Sequence, residues 1–265
     1  MERTLGFVGA GNMAGAILSG ILAKELLPVS RLWVFDSAED KRKLWQEKGV
    51  GVAQSNVWLT QRCDVLVLAV KPQNFDEVLG ELAPHTAGKC VVSIAPGISV
   101  AYLKAQLPGT AVVRVMPNTP LQVGRGATAV AQAPDVPEEL FAWLCSLFRA
   151  AGEVAVIPEA QMDDIIAVSG SSPAFFFRMA AAMVDEAARA GLDPTLALRM
   201  AARAMEGSAA MLLESGKTAK ELETMVCSPG GTTLAALSAF DEFHFEEMYR
   251  EAARRCVTRS RELGR

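Results

Sequence analysis

Apolar residues recur along the chain in two textures, and the change from one to the other divides it. Up to about Pro158 they come in short unbroken runs: Leu5 to Val8, Arg31 to Phe35, Val65 to Val70, Cys90 to Ala95 and Val112 to Val115. Unbroken runs of this length are what parallel strands covered on both faces require. Ala127 to Ala131 and Glu153 to Ile157 read as further strands, Ser37 to Lys48 and Glu138 to Ala150 as helices, and Gly49-Val-Gly51 as a break. Beyond Pro158, long Ala, Met and Leu stretches at helical spacing predict helices over Ser172 to Ala190, Pro194 to Ser215, Ala219 to Cys227, Thr232 to Ala239 and Phe245 to Leu263. Gly191 reads as a C-cap, and Pro194 fits the first turn of the next helix. These helices are more apolar than one small bundle can bury, so a dimer formed through them is expected. The expected class is α/β, with an N-terminal Rossmann-type doubly wound sheet over residues 1–158 and a C-terminal all-α dimerisation domain over residues 159–265.

The first run ends at Gly9-Ala10-Gly11, and helical spacing follows through Met13, Ile17, Leu18, Ile21 and Leu22. Strand, tight turn and helix are the context that makes Gly9, Gly11 and Ala14 a dinucleotide fingerprint rather than a flexible loop. Gly9 permits the sharp turn, Gly11 lets a pyrophosphate approach the backbone, and Ala14 lets the helix lie close on the strand. The free N–H groups and the positive end of the helix dipole then face the phosphates. Asp36 ends the second strand, near the ~20-residue interval at which an acidic residue accepts the adenosine ribose hydroxyls. It favours NADH by repelling a 2′-phosphate, whereas Ser37, Lys41 and Arg42 nearby can receive one, so the choice between NADH and NADPH stays open. Asp36 also suits a cap for the helix beginning near Ala38. Three later strands end in Lys71-Pro72-Gln73, Pro96-Gly97 and Met116-Pro-Asn-Thr-Pro120. In open α/β sheets the ligand lies beyond the carboxyl ends of the strands, so these tips are expected over the cofactor.

Two small-residue clusters interrupt the helical half, Ser169-Gly-Ser-Ser-Pro-Ala174 and Cys227-Ser-Pro-Gly-Gly-Thr-Thr233. Each opens a helix. In the second, hydroxyls, glycines and a helix N-terminus suit either a small-anion site, such as one for a carboxylate, or an ordinary N-cap turn. A net charge of −4 without a basic cluster gives no case for nucleic acid, and no apolar run reaches the ~20 residues of a membrane helix. The first strand begins too early for a signal peptide. Cys63, Cys90, Cys145, Cys227 and Cys256 are scattered, and His85 and His244 lack ligand spacing, so neither a metal site nor a disulfide framework is expected. A reduced, cytoplasmic setting follows.

Gly9 to Ala14, Ala69 to Gln73, Met116 to Pro120, Ser169 to Phe175 and Val226 to Thr233 together resemble, in order and spacing, the pyrroline-5-carboxylate reductase family. The resemblance covers essentially the whole chain and implies reduction of the cyclic imine 1-pyrroline-5-carboxylate to L-proline by NADPH or NADH. It also implies a homodimer with substrate bound between subunits, and dimers assembled to a decamer. Carried over by position, Val8, Gly9, Ala10, Gly11, Asn12 and Met13 hold the pyrophosphate, and Asp36 with Asn56 the adenosine ribose. Ala69, Val70, Lys71 and Pro72, with Ala95, Pro96 and Gly97, border the nicotinamide ribose. Ser228, Gly231, Thr232 and Thr233 bind the substrate carboxylate, with the catalytic hydroxyl of Thr233 near the ring nitrogen. Glu159 falls where the family has an acidic residue near the site. A hydroxy-acid dehydrogenase shares the nucleotide half but usually offers a helical lysine, and none lies between Ala160 and Gly216. A non-catalytic nucleotide-binding regulator has no need of an anion pocket at Ser228 to Thr233.

Overall fold

The apolar runs of the N-terminal half form one sheet in the computed structural model, which describes residues 3–264. Its strands among the described residues are β1 (Leu5–Val8), β2 (Leu32–Phe35), β3 (Gly51–Val52), β4 (Val65–Leu68), β5 (Cys90–Ser93), β6 (Ala111–Met116), β7 (Gly126–Ala131) and β8 (Gly152–Ile157). They lie in the order β3-β2-β1-β4-β5-β6-β7-β8, with β6 and β7 antiparallel and the other neighbours parallel. The chain winds outward from β1 to β3, returns to β4 beside β1, and winds outward the other way. The order therefore reverses between β1 and β4, which is where a doubly wound sheet opens a crevice for a ligand.

The helices of this half are α1 (Asn12–Ala23), α2 (Glu39–Glu47), α3 (Asn56–Arg62), α4 (Phe75–Leu82), α5 (Val100–Gln106) and α6 (Glu138–Arg149). They cover both faces of the sheet, and this is why its strands are apolar without alternation. On β4, Val65 and Val67 enter one core cluster with Phe7, Ile17 and Phe148, while Leu66 and Leu68 enter the other with Leu59, Leu79 and Leu103. The β4 and β5 ladders stop at Leu68 and Ser93 rather than at the ends of their apolar runs. Beyond the ladders, Ala69-Val70 and Ile94-Ala95 reach the lining of a cleft, and Ile94 and Ala95 also belong to the two core clusters.

Three helices, α3 to α5, leave no mark in the apolar pattern because seven or eight residues are too few to display a helical period. Serine caps start two of them: Ser55 Oγ accepts from Trp58 N–H at 3.1 Å, and Ser99 Oγ from Tyr102 N–H at 3.0 Å. Where a break was expected, Gly51 begins β3. A Cβ there would lie 2.5 Å from the Trp33 ring, so glycine lets this edge strand pass the indole.

The C-terminal helices are α7 (Ser172–Arg189), α8 (Pro194–Glu214), α9 (Ala219–Met225), α10 (Thr232–Glu242) and α11 (Phe245–Leu263), close to the expected bounds. Gly191, at φ 86°, ends α7 with its N–H on Ala188 O while Leu192 N–H reaches Ala187 O. Asp193 caps α8 through Leu196 N–H at 2.8 Å. The compact units part at residues other than the expected 158/159. One runs to Pro173 and resumes at Arg255, and the other is Ala174–Arg254. Polar contacts explain the return of the α11 terminus to the first unit: Ser260 Oγ donates to Asp163 Oδ1 at 2.8 Å, and Cys256 Sγ lies 3.2 Å from Ser171 Oγ. No residue from Ala174 to Arg254 is buried.

Candidate active site

The crevice at the sheet reversal holds two clefts that share Ala69 and Val70. The first, of about 560 Å³, is lined by Gly9, Gly11, Asp36, Asn56, Ala69, Val70 and Lys71 among others. Gly9 sits at φ 96°, and a Cβ on it would lie 2.8 Å from Ala69 O, so only glycine turns the chain here without strain. Nothing lies within 4 Å of a Cβ placed on Gly11, and no side chain caps α1. Open space before an uncapped helix N-terminus fits a pyrophosphate. Val8 and Ala10 are buried behind the turn, and Asn12 is exposed.

Asp36 is the charged centre of this cleft. Its Oδ2 accepts from Ala10 N–H at 2.8 Å and its Oδ1 from Ala38 N–H at 2.9 Å, with Lys41 Nζ 3.3 Å from Oδ2. Burial pushes the carboxyl pKa up, but the two backbone donors and the Lys41 cation outweigh it and hold the group below its ordinary 3.8. The cap of α2 is Ala38, so Asp36 binds the residue before the helix and the glycine turn at once. Asn56 Nδ2 donates to Glu81 Oε2 at 2.9 Å across the cleft.

The second cleft, about 310 Å³, brings together Met13, Ala69-Val70, Ala95-Pro96, Met116-Pro117 and Gly170-Ser171. It therefore lies over the tips of β4, β5 and β6. Asn118 shapes its wall from behind: Nδ2 donates to Ser169 O at 3.1 Å and Oδ1 accepts from Ala127 N–H at 2.9 Å. One amide thus fixes the Met116 to Pro120 loop, β7 and the Ser169 turn, which gives both small-residue motifs a structural task. Met116, Pro117, Gly170 and Ser171 join this lining although their motifs carry no cofactor signal of their own.

Val8, Ala10, Asn12, Pro72, Gly97 and Glu159 line neither cleft, and neither do Ser228, Gly231, Thr232 and Thr233. Pro72 opens a short 3-10 turn. Gly97, at φ 76°, packs under the end of α11, where a Cβ would lie 2.8 Å from Ser260 O. Glu159 Oε1 accepts from Val100 N–H at 2.7 Å and lies 3.9 Å from Arg114 Nη1. Arg114 is 3% exposed and holds Asp163 at 2.7 Å, and Asp163 also receives Ser260. These contacts clasp the residue 95–97 loop, the Glu159 turn and the C-terminus of α11. Burial raises the Asp163 pKa, and hydrogen bonds from Ser260 and Arg114 with the Arg114 charge bring it below 3.8.

Within the helical unit, Ser228-Pro-Gly-Gly231 folds as a tight turn. Gly231 N–H donates to Ser228 O at 2.9 Å and Gly230 has φ 68°, the arrangement in which proline precedes a glycine of positive φ. A Cβ on Gly231 would lie 2.6 Å from Ser228 Oγ. Gly231 caps α10 through its backbone alone, leaving the first-turn N–H groups and the Thr232 and Thr233 hydroxyls without a capping side chain. That is a donor-rich helix start suited to a carboxylate.

A doubly wound sheet, a glycine turn at its crevice and a carboxylate at the end of β2 define the class of nicotinamide-dinucleotide-dependent oxidoreductases. Residues 159–263 match the family described as pyrroline-5-carboxylate reductase dimerisation, and residues 4–97 match that described as NADP oxidoreductase coenzyme F420-dependent. Pyrroline-5-carboxylate reductase of Escherichia coli is 37% identical over 100% of both chains, and that of Methanosarcina acetivorans 38% identical over 100% of this chain and 99% of its own. Among solved structures, the Coxiella burnetii pyrroline-5-carboxylate reductase superposes with TM-score 0.91 at 32% identity over 100% of both chains. The Plasmodium falciparum pyrroline carboxylate reductase with NADP bound gives 0.92 at 26%, again over 100% of both. The chain belongs to the pyrroline-5-carboxylate reductase family, enzymes that reduce the imine of 1-pyrroline-5-carboxylate to L-proline with NAD(P)H. It is a homo-oligomer acting on a small molecule, and none of its helices is long and apolar enough to cross a membrane among the described residues.

Proposed function

We propose that this chain carries out that reduction with the following division of labour. The first cleft holds the adenosine half of the dinucleotide, with Asp36 and Asn56 at the ribose and Gly9 to Met13 at the pyrophosphate. Ala69 to Lys71 with Ala95 and Pro96 carry the nicotinamide ribose, while Pro72 and Gly97 hold the ends of those two loops. When bound there, the reduced nicotinamide supplies the hydride for the imine carbon.

Ser228, Gly231, Thr232 and Thr233 anchor the substrate carboxylate through backbone N–H groups and hydroxyls, whereas Glu159, placed at the substrate by the resemblance, acts as a structural tie on the first residue of α5. A protonated imine is a strong hydride acceptor, so the protein's task is placement, exclusion of water and a hydrogen bond at the ring nitrogen. The Thr233 hydroxyl makes that bond. The dimerisation half acts at the level of a homodimer, with dimers assembled to a decamer, in the reducing cytoplasm. Five free thiols support that compartment, and burial pushes Cys63 and Cys90 up to about 12, where they are inert.

The donor-rich turn at the start of α10 carries this reading. Thr233→Ala is expected to lower kcat about 100-fold with 1-pyrroline-5-carboxylate, in line with loss of one positioned proton-handling group, while NAD(P)H affinity by fluorescence titration stays within twofold. Unchanged kcat removes Thr233 from the mechanism.

A further inference from the structure

The ribose end of the first cleft is built around a carboxylate that cannot turn away. Backbone N–H groups hold Asp36 from both sides, Ala10 at Oδ2 and Ala38 at Oδ1, and its side chain is 11% exposed. The two cations beside this end, Lys41 and Arg42, are engaged with Asp36 itself and with its neighbouring carbonyls. Lys41 Nζ sits 3.3 Å from Asp36 Oδ2. Arg42 Nη1 is turned onto carbonyl oxygens, 2.5 Å from Asp36 O and 2.9 Å from Ser37 O, with its guanidinium 5.7 Å from the Phe35 ring centroid. The charged residues lining the cleft are three carboxylates, Asp36, Glu77 and Glu81, against two ammonium groups, Lys41 and Lys71.

A 2′-phosphate brings a further charge of about −1.5 to −2 into that setting. Free ribose hydroxyls bring none, and each is a donor that a carboxylate accepts strongly. We infer that this chain prefers NADH over NADPH, with Asp36 as the specificity-determining residue. The inference rests on the reading that the first cleft takes the adenosine half of the coenzyme. It departs from the Plasmodium falciparum relative, whose structure has NADP bound.

Calorimetric titration of the full-length protein with 5′-AMP and with adenosine 2′,5′-bisphosphate reads the ribose subsite without catalysis. 5′-AMP is expected to bind at least tenfold more tightly, and kcat/KM to be at least tenfold higher with NADH than with NADPH. Asp36→Ser removes the charge and frees Lys41, so adenosine 2′,5′-bisphosphate gains at least tenfold in affinity relative to 5′-AMP. Asp36→Asn keeps an acceptor for the glycine turn and moves the ratio the same way, which covers a Ser variant that fails to fold. A wild type that binds adenosine 2′,5′-bisphosphate as tightly as 5′-AMP, or an Asp36→Asn variant with an unmoved ratio, overturns the preference while leaving the reductase assignment intact. If neither probe competes with NADH, the adenosine subsite lies elsewhere and the inference falls with it.

Discussion

The nucleotide-binding unit and the helical unit solve opposite problems with similar proportions of apolar residues. In the first, Phe7, Phe75, Phe148, Leu59, Leu66 and their neighbours are excluded from solvent in clusters on both sheet faces. In the second, Phe176, Met179 and Met183 form a stripe on α7 at 55%, 38% and 49% exposure, and Leu213 on α8 is 85% exposed. Its ion pairs, such as Arg189–Glu186 and Arg203–Glu206, are local i,i+3 contacts on open helix surface that add little to stability. A monomer that exposes this much contiguous apolar surface is not a finished structure. The first unit has its core within one chain, whereas the second has no buried residue within one chain. The match to a dimerisation family over residues 159–263 agrees with that difference.

The largest expected effect breaks the second half of this comparison. Charging the α7 stripe with Phe176→Glu and Met183→Glu should abolish the oligomer, read as a monomer mass by light scattering, with loss of reductase activity. NAD(P)H binding by the first unit should survive. Next comes a matched pair of truncations. Leu66→Ala, at a site with no exposure, should cost about 2–5 kcal/mol in denaturant unfolding. Leu213→Ala should change the stability of a dissociated monomer by no more than about 0.5 kcal/mol. A larger cost in the assembled protein measures how far association buries α8. The smallest effect concerns pH and belongs to the first unit. Asp163 has its pKa depressed below 3.8 in the folded state, so its clasp with Arg114 and Ser260 contributes stability above the unfolded value. That contribution should fade as pH falls from about 4 through the depressed value. Asp163→Asn should flatten this part of the melting-temperature profile between pH 6 and 3.

Much of the site can be read along the chain because its parts are local. Gly9 to Ala14 and Ser228 to Thr233 each carry their turn chemistry within six consecutive residues, and the structure gives Gly9 and Gly230 the positive φ angles such turns need. Asp36 is also legible, as the acidic end of the second strand. What could not be read was the work of long-range partners. Asn118 joins segments nine and fifty-one residues away, and Glu159 reaches the Val100 N–H across fifty-nine. Nothing near Glu159 in sequence marks it as a tie for a loop. Likewise, nothing near Lys41 or Arg42 indicates that both turn toward Asp36 and its neighbouring carbonyls.

The chain's own pattern determined the sheet, the helical half and the glycine turn, because burial on two faces, helical periodicity and positive φ are conditions each residue meets with its immediate neighbours. Tertiary structure alone decided the strand order with its reversal between β1 and β4, the short helices α3 to α5, and the return of α11 to the first unit through Ser260 and Asp163. These depend on which distant groups satisfy one another's hydrogen bonds and fill one another's surfaces, and a linear pattern holds no record of that pairing.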